Sequence, residues 1–279
     1  DPSGQFVDDA FQVSDADQAD CGTPAVTYLT PSGEDNGRYL VAWEQGAGAV
    51  DLYARWVLTD GTPSDSFTLS DVGDRHYDVA LAFGPSMTTV LAAWTDGRAG
   101  NSDVYARSVD AGGDLGEEIV VHPAPGDQQL PQAAYNPDDD EYLVVWQDYR
   151  QGTTNPDIYG QRVTSEGVPA GDNIAINTAS YRQIAPHVAY ATEGKVYLVV
   201  WCHYPGTADD AYDVYGQRLS RTGQLQGSPL VIANESGTTG QEYPTDVVYN
   251  STSDRFLVLW DDMAATKYWD VWGRHVSTD

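Results

Sequence analysis

The chain has 279 residues, of which 42 are acidic and only 14 basic, for a formal charge of -28 at neutral pH. That charge repels nucleic acid and anionic membrane surfaces, and no apolar stretch reaches the roughly 18 residues that a membrane-spanning helix needs. The length suits one large all-β domain, and no break in composition divides it.

In chain order, Gly4 to Ser14 comes first and lines up with Gly167 to Asn177 much further on, so it reads as an outer strand without a sheet of its own. The polar stretch Asp15 to Asp20 follows as a hinge. From there one pattern recurs five times: a short strand, a turn, an aliphatic run ending in Trp, a polar loop, and Asp-aliphatic-aromatic. The first copy has a strand at Pro24 to Tyr28, the run to Trp43, and a strand from Asp51. The second has a strand around Ala80 to Phe83, the run to Trp94, and a strand from Asp103. The third has Pro131 to Tyr135, a Pro-Asp-Asp-Asp turn at 137 to 140, the run to Trp146, and a strand from Asp157. The fourth has Pro186 to Tyr190, Trp201 and Asp213. The fifth has Pro244 to Tyr249, Trp260 and Asp270.

The marker tryptophans are 51 to 59 residues apart, the period of a four-stranded propeller blade. The Trp-ending strand is apolar on both faces, as expected of a sheet held between two others. A Gly-containing turn leads to a fourth, outer strand, as in Asn173 to Asn177 and Leu230 to Ile232. The fifth copy lacks that strand, and Gly4 to Ser14 is its expected replacement. The fold expected is therefore an all-β, five-bladed β-propeller with four-stranded blades, the ring closed by an N-terminal strand that completes the last blade. The blades span about residues 18–73, 74–126, 127–181, 182–240 and 241–279, with strand 4–14 joining the fifth, in one domain over 1–279. An open solenoid would leave both end strands unpaired.

The third copy carries Trp146-Gln-Asp148-Tyr-Arg150 and Asp157-Ile-Tyr-Gly-Gln-Arg162. Along its whole length the chain resembles bacterial secreted proteins built of such tandem repeats. The resemblance implies the repeat architecture and brings no activity with it. Gln45 and His203 depart from the Asp of the motif.

The Lys-poor, Tyr-rich composition and a start at Asp1, with no charged-then-apolar leader, point to an extracellular or cell-surface protein whose leader has been removed. Asn234 and Asn250 head glycosylation acceptor triplets. Cys21 and Cys202 fall on the same side of the ring in blades that are not neighbours, which leaves a disulfide and two free thiols both open.

Two carboxylate sets flank the loop of each blade: Asp96, Asp148 and Asp262 after the Trp, and Asp103, Asp157 and Asp270 before the third strand. Within a blade they are placed to hold Ca²⁺ together with loop carbonyls, or to serve as turn and ion-pair residues with partners such as Arg98 and Arg150. No cofactor is required by any motif. The same loops carry Tyr149, Tyr204, Tyr212, Tyr268 and Trp269, rings that suit the flat face of a sugar or pack between loops.

The expected function is non-enzymatic: an extracellular recognition or adhesion module binding glycan or a surface protein through one propeller face. One alternative is a structural subunit of a fibre, sheath or surface layer, in which copies of the chain exchange N-terminal strands. The other is a glycoside hydrolase, since a five-bladed ring also serves furanosidases and levansucrase-like enzymes, whose carboxylates converge from different blades. Only Asp78 and Asp246 stand on the innermost strands for that role. The five histidines are scattered, and there is no nucleophile elbow.

Overall fold

The structure is a computed structural model and describes residues 10–15, 20–30, 37–46, 49–72, 75–84, 89–204, 206, 212–234, 242–263 and 269–279. Among these, nineteen strands form five antiparallel sheets, each a simple meander. The first sheet holds β1 (Cys21–Leu29), β2 (Arg38–Gln45), β3 (Asp51–Leu58) and β4 (Phe67–Ser70). The second holds β5 (His76–Gly84), β6 (Thr89–Asp96), β7 (Asp103–Asp110) and β8 (Ile119–Val120). The third holds β9 (Gln128–Asn136), β10 (Glu141–Asp148), β11 (Asp157–Thr164) and β12 (Pro169–Asn177). The fourth holds β13 (Arg182–Ala191), β14 (Val196–Tyr204), β15 (Asp213–Ser220) and β16 (Leu225–Ala233), and the fifth β17 (Glu242–Asn250), β18 (Arg255–Met263) and β19 (Trp269–Ser277). The fold is a multi-bladed, propeller-like array of repeated blades. Among the described residues no helix is long and apolar enough to cross a membrane.

The first strands line the axis, with β1 packed on β5, β5 on β9, β9 on β13 and β13 on β17. The marker strand of each blade supplies the contact between sheets. Its residues three and one before Trp point to the next blade, and Trp with the residues two and four before it points to the previous one. Thus Leu40 and Ala42 share a cluster with Val90, Ala92 and Trp94. Leu91 and Ala93 join Tyr142, Val144 and Trp146, Leu143 and Val145 join Tyr197, Val199 and Trp201, and Leu198 and Val200 join Phe256, Val258 and Trp260. Burial of this kind is worth about 1.5–3 kcal/mol for each large side chain. The hairpin tip at 137 to 140 adds polar ties, because Asp138 accepts from Lys195 Nζ at 2.8 Å and from the Tyr190 hydroxyl at 2.7 Å.

The expected closure is corrected. Among the described residues the fifth sheet has three strands, ordered β17-β18-β19, and no sheet is closed by hydrogen bonds from the N-terminal segment. Residues 10–15 form no strand, and residues 4–9 of the expected strand lie outside the described residues. Phe11 and Val13 instead border one open groove together with Val26, Tyr39, Val41 and Val57 of the first blade. The physical reason is competition for apolar surface: the first blade has no blade before it, and its bare face draws the two side chains to its border. Cys21 is exposed and Cys202 buried, and no disulfide joins them.

Leu143 is fully buried between the third and fourth blades. Leu143→Ala is expected to destabilise the chain by about 2–5 kcal/mol, read as a lower urea midpoint. A loss no larger than that of an exposed-site control would mean that these sheets do not depend on each other.

Candidate functional site

The loop between second and third strands is locked by one repeated unit. Trp146 Nε1 donates to Asp148 Oδ2 at 2.8 Å, and Asp148 Oδ1 accepts from Arg150 N at 2.8 Å and Arg150 Nε at 2.9 Å. The guanidinium then lies 3.7 Å from the centre of the Tyr159 ring. The second blade repeats this through Trp94, Asp96 and Arg98, with Arg98 4.3 Å from the Tyr105 ring. Burial alone would raise the Asp96 pKa, but hydrogen bonds from His76, Arg98 and Trp94 outweigh it and hold the carboxyl well below the usual range. Gln45 substitutes in the first blade, accepting from Trp43 Nε1 at 2.8 Å. His203 stands in place of that carboxylate in the fourth, and the buried Trp201 Nε1 has no hydrogen-bond partner among the described residues.

The paired aspartates face each other in strand register. Asp96 stands opposite Asp103, Asp148 opposite Asp157, and Asp262 opposite Asp270 across adjacent strands. In the second and third blades the cation facing the first of each pair is a guanidinium. Asp157 is buried, and burial together with the charge of Asp148 pushes its pKa up to about 6. Asp103 shifts the same way, chiefly by burial.

The aromatic loop residues divide. Tyr204 packs on Tyr212 with ring centres 5.2 Å apart, Tyr212 on Tyr243 at 5.1 Å, and Tyr243 on Trp269 at 6.1 Å. The strip crosses from the fourth blade to the fifth and ends on Trp269, which is 52% exposed. Arg182 Nη1 reaches the Tyr212 hydroxyl at 3.4 Å. Tyr149 lies apart in the third blade, its hydroxyl 3.4 Å from Gln147 Nε2, and Tyr268 lies outside the described residues. Tyr243 was not singled out by the sequence, because it sits on a first strand rather than in a loop.

Each of the first four axial strands carries a bulge with a non-glycine residue at positive φ: Thr23 (37°), Asp78 (58°), Leu130 (55°) and Ala185 (50°). In three cases the residue after the marker Trp of the preceding blade holds the bulge N–H. Glu44 Oε1 accepts from Asp78 N at 2.9 Å, Thr95 Oγ1 from Leu130 N at 3.2 Å, and Gln147 Oε1 from Ala185 N at 3.3 Å. Such a latch offsets part of the cost of the strained backbone. Polar residues at that position in successive copies are the signal that the sequence held.

At one latch both partners are acids. Asp78 accepts from Thr95 Oγ1 at 3.3 Å, and its pKa is raised, first by burial and then by the charge of Glu44. Asp246 is exposed and accepts from Val247 N at 2.7 Å. It opposes the downward shift that burial imposes on His187 of the neighbouring first strand. Asp78 and the aromatic strip lie at the same end of the blades, where first strands begin and marker strands end.

The fold built this way has solved relatives. An N-acetylgalactosamine deacetylase from F. plautii, in complex with blood group B trisaccharide, superposes with a TM-score of 0.51 at 12% identity, covering 96% of this chain and 93% of that one. A thermostable family-43 glycoside hydrolase gives 0.50 at 10% identity, over 92% and 89% of the two chains. The catalytic domain of a GH62 α-L-arabinofuranosidase from Coprinopsis cinerea gives 0.50 at 10%, over 94% and 92%. At such identities the likeness is one of fold. No family model matches the chain, and no curated protein matches it in sequence. These findings correct the expectation of a non-enzymatic recognition or adhesion module, since the solved structures that share the scaffold are carbohydrate-active enzymes.

Asp157 also gives a test of the loop electrostatics. Its folded pKa of about 6 exceeds the roughly 3.9 of an unfolded Asp, so its contribution to stability is full below about pH 4 and is lost as pH rises through about 6. Asp157→Asn is expected to raise stability by about 1 kcal/mol near pH 7.5, allowing for solvent screening, and to give no gain near pH 4. Thermal unfolding at the two pH values checks this, and an equal gain at both would refute the assignment.

Proposed function

We propose that the protein is a secreted carbohydrate-active hydrolase that cleaves glycosidic bonds at the loop end of the blade array. The observation that carries this reading is the acid pair on adjacent blades, with Asp78 kept toward its protonated form beside the carboxylate of Glu44. A carboxyl held toward its protonated form beside a second acid is what acid–base cleavage of an acetal requires. Asp78 donates its proton to the leaving glycosidic oxygen as the bond from that oxygen to the anomeric carbon breaks. Glu44 supports the charge that develops on the sugar ring and takes a proton from the water that attacks the anomeric carbon. The Tyr204–Tyr212–Tyr243–Trp269 strip supplies stacking faces for further sugar units, and the glycan-processing activities of the structurally similar proteins support the same class of substrate.

A panel of plant, fungal and host polysaccharides, assayed for new reducing ends, tests the proposal. Asp78→Asn keeps the backbone N–H that Glu44 holds, and it is expected to lower the rate by at least about 100-fold without lowering the melting temperature. The wild-type rate should fall as pH rises past the elevated pKa of Asp78, because only the protonated form donates. Trp269→Ala should raise KM for long substrates and leave kcat largely intact. Release of sugar that Asp78→Asn and Glu44→Gln leave untouched would place the chemistry elsewhere, and no release from any substrate would end the hydrolase reading.

A further inference from the structure

The two end blades present opposite halves of the contact that joins every other pair. On the fifth blade the residues that should meet a following blade are Val248, Leu257, Leu259 and Val271. Val271 is 72% exposed, whereas its equivalents Leu52, Val104, Ile158 and Val214 are buried to within 1%. Leu257 and Leu259 are half-buried, while Leu198 and Val200 one blade earlier are fully covered. On the first blade the residues that should meet a preceding blade are Val26, Tyr28, Tyr39 and Val41. Tyr39 is 40% exposed and Val26 63%, although Val90, Tyr142, Tyr197 and Phe256 at the position of Tyr39 are all fully buried. No packing comparable to that of β13 on β17 joins β17 to β1 among the described residues.

We propose that the uncovered face of the fifth blade docks on the uncovered face of the first blade of a second copy of this chain. The occupant follows from the repeat. Leu257 and Leu259 are the residue types that pack on an aromatic and an aliphatic residue at the internal junctions, and Tyr39 and Val41 repeat that pair, while Trp43 beneath them is already buried. The polar latch is matched as well, since Asp261 follows the marker Trp of the fifth blade and the Thr23 bulge of the first blade carries the N–H that such a residue holds elsewhere. Phe11 and Val13 border the first-blade face without closing it, since Phe11, Val26 and Tyr39 all remain exposed. Because the two faces differ, the contact is heterologous and joins copies head to tail. It is a packing of faces, it leaves strands within their own chains, and it is independent of the hydrolase reading.

Sedimentation velocity of the whole chain over a wide concentration range tests this. The wild type is expected to shift to larger species as concentration rises. Val271→Asp and Val26→Asp each place a charge in one half of the contact, at sites exposed enough to leave folding intact, and each should weaken self-association by at least about tenfold. An equimolar mixture of the two variants retains one good face on each partner, so it should form a dimer and nothing larger. A wild type that stays monomeric at every concentration, or a mixture that stays monomeric, would overturn the proposal.

Discussion

Each of the three inner sheets of this protein rests on a strand that has no solvent face. Leu143, Val144, Val145 and Trp146 are all fully buried because one half of the strand packs forward and the other half backward. The close approach this requires explains the small residues of the third strands. A Cβ on Gly160 would sit 3.0 Å from Ile176 Cδ1 and 3.3 Å from the Val144 carbonyl oxygen, so a larger side chain there would push the outer strand away. Stability is therefore shared between neighbours rather than held within a blade, and the two end blades are the places where the arrangement leaves apolar surface over.

The loop end adds a second, polar layer to the same plan. Asp96 and Asp148 are fully buried, yet each is surrounded by donors from Trp and Arg, which is the condition under which a buried charge is tolerated. Residues that recur in equivalent places, such as these aspartates, serve the architecture first. Residues that break the repeat deserve a chemical reading. Glu44 and Asp78 stand at a latch whose counterparts are Thr95 with Leu130 and Gln147 with Ala185, and neither counterpart pair could exchange protons. Tyr243, Tyr212 and Trp269 likewise gather only where the fourth and fifth blades meet.

The candidate site was only partly legible in the sequence. Tyr204, Tyr212 and Trp269 stood out as loop aromatics, and Asp78 as an acid on an axial strand. Their grouping depended on register: Tyr243 completes the strip from a different strand type, and Glu44 reaches Asp78 from the preceding blade, 34 residues away. Neither relation leaves a mark in local periodicity, because both are made by side chains crossing from one sheet to another. The shared placement of Asp148 and Asp157 was legible, since strands that flank one loop pair end to end.

By itself the sequence determined the number of blades, the order of strands within each and the identity of the buried Trp, because hydrophobic alternation and turn residues act over a few positions. It could not determine how the array ends. That outcome sets the backbone pairing of an N-terminal strand on the fifth sheet against the placing of Phe11 and Val13 beside the first, and both relations are non-local. Only the assembled tertiary structure, with the first-blade face already formed and bare, decided for the first blade.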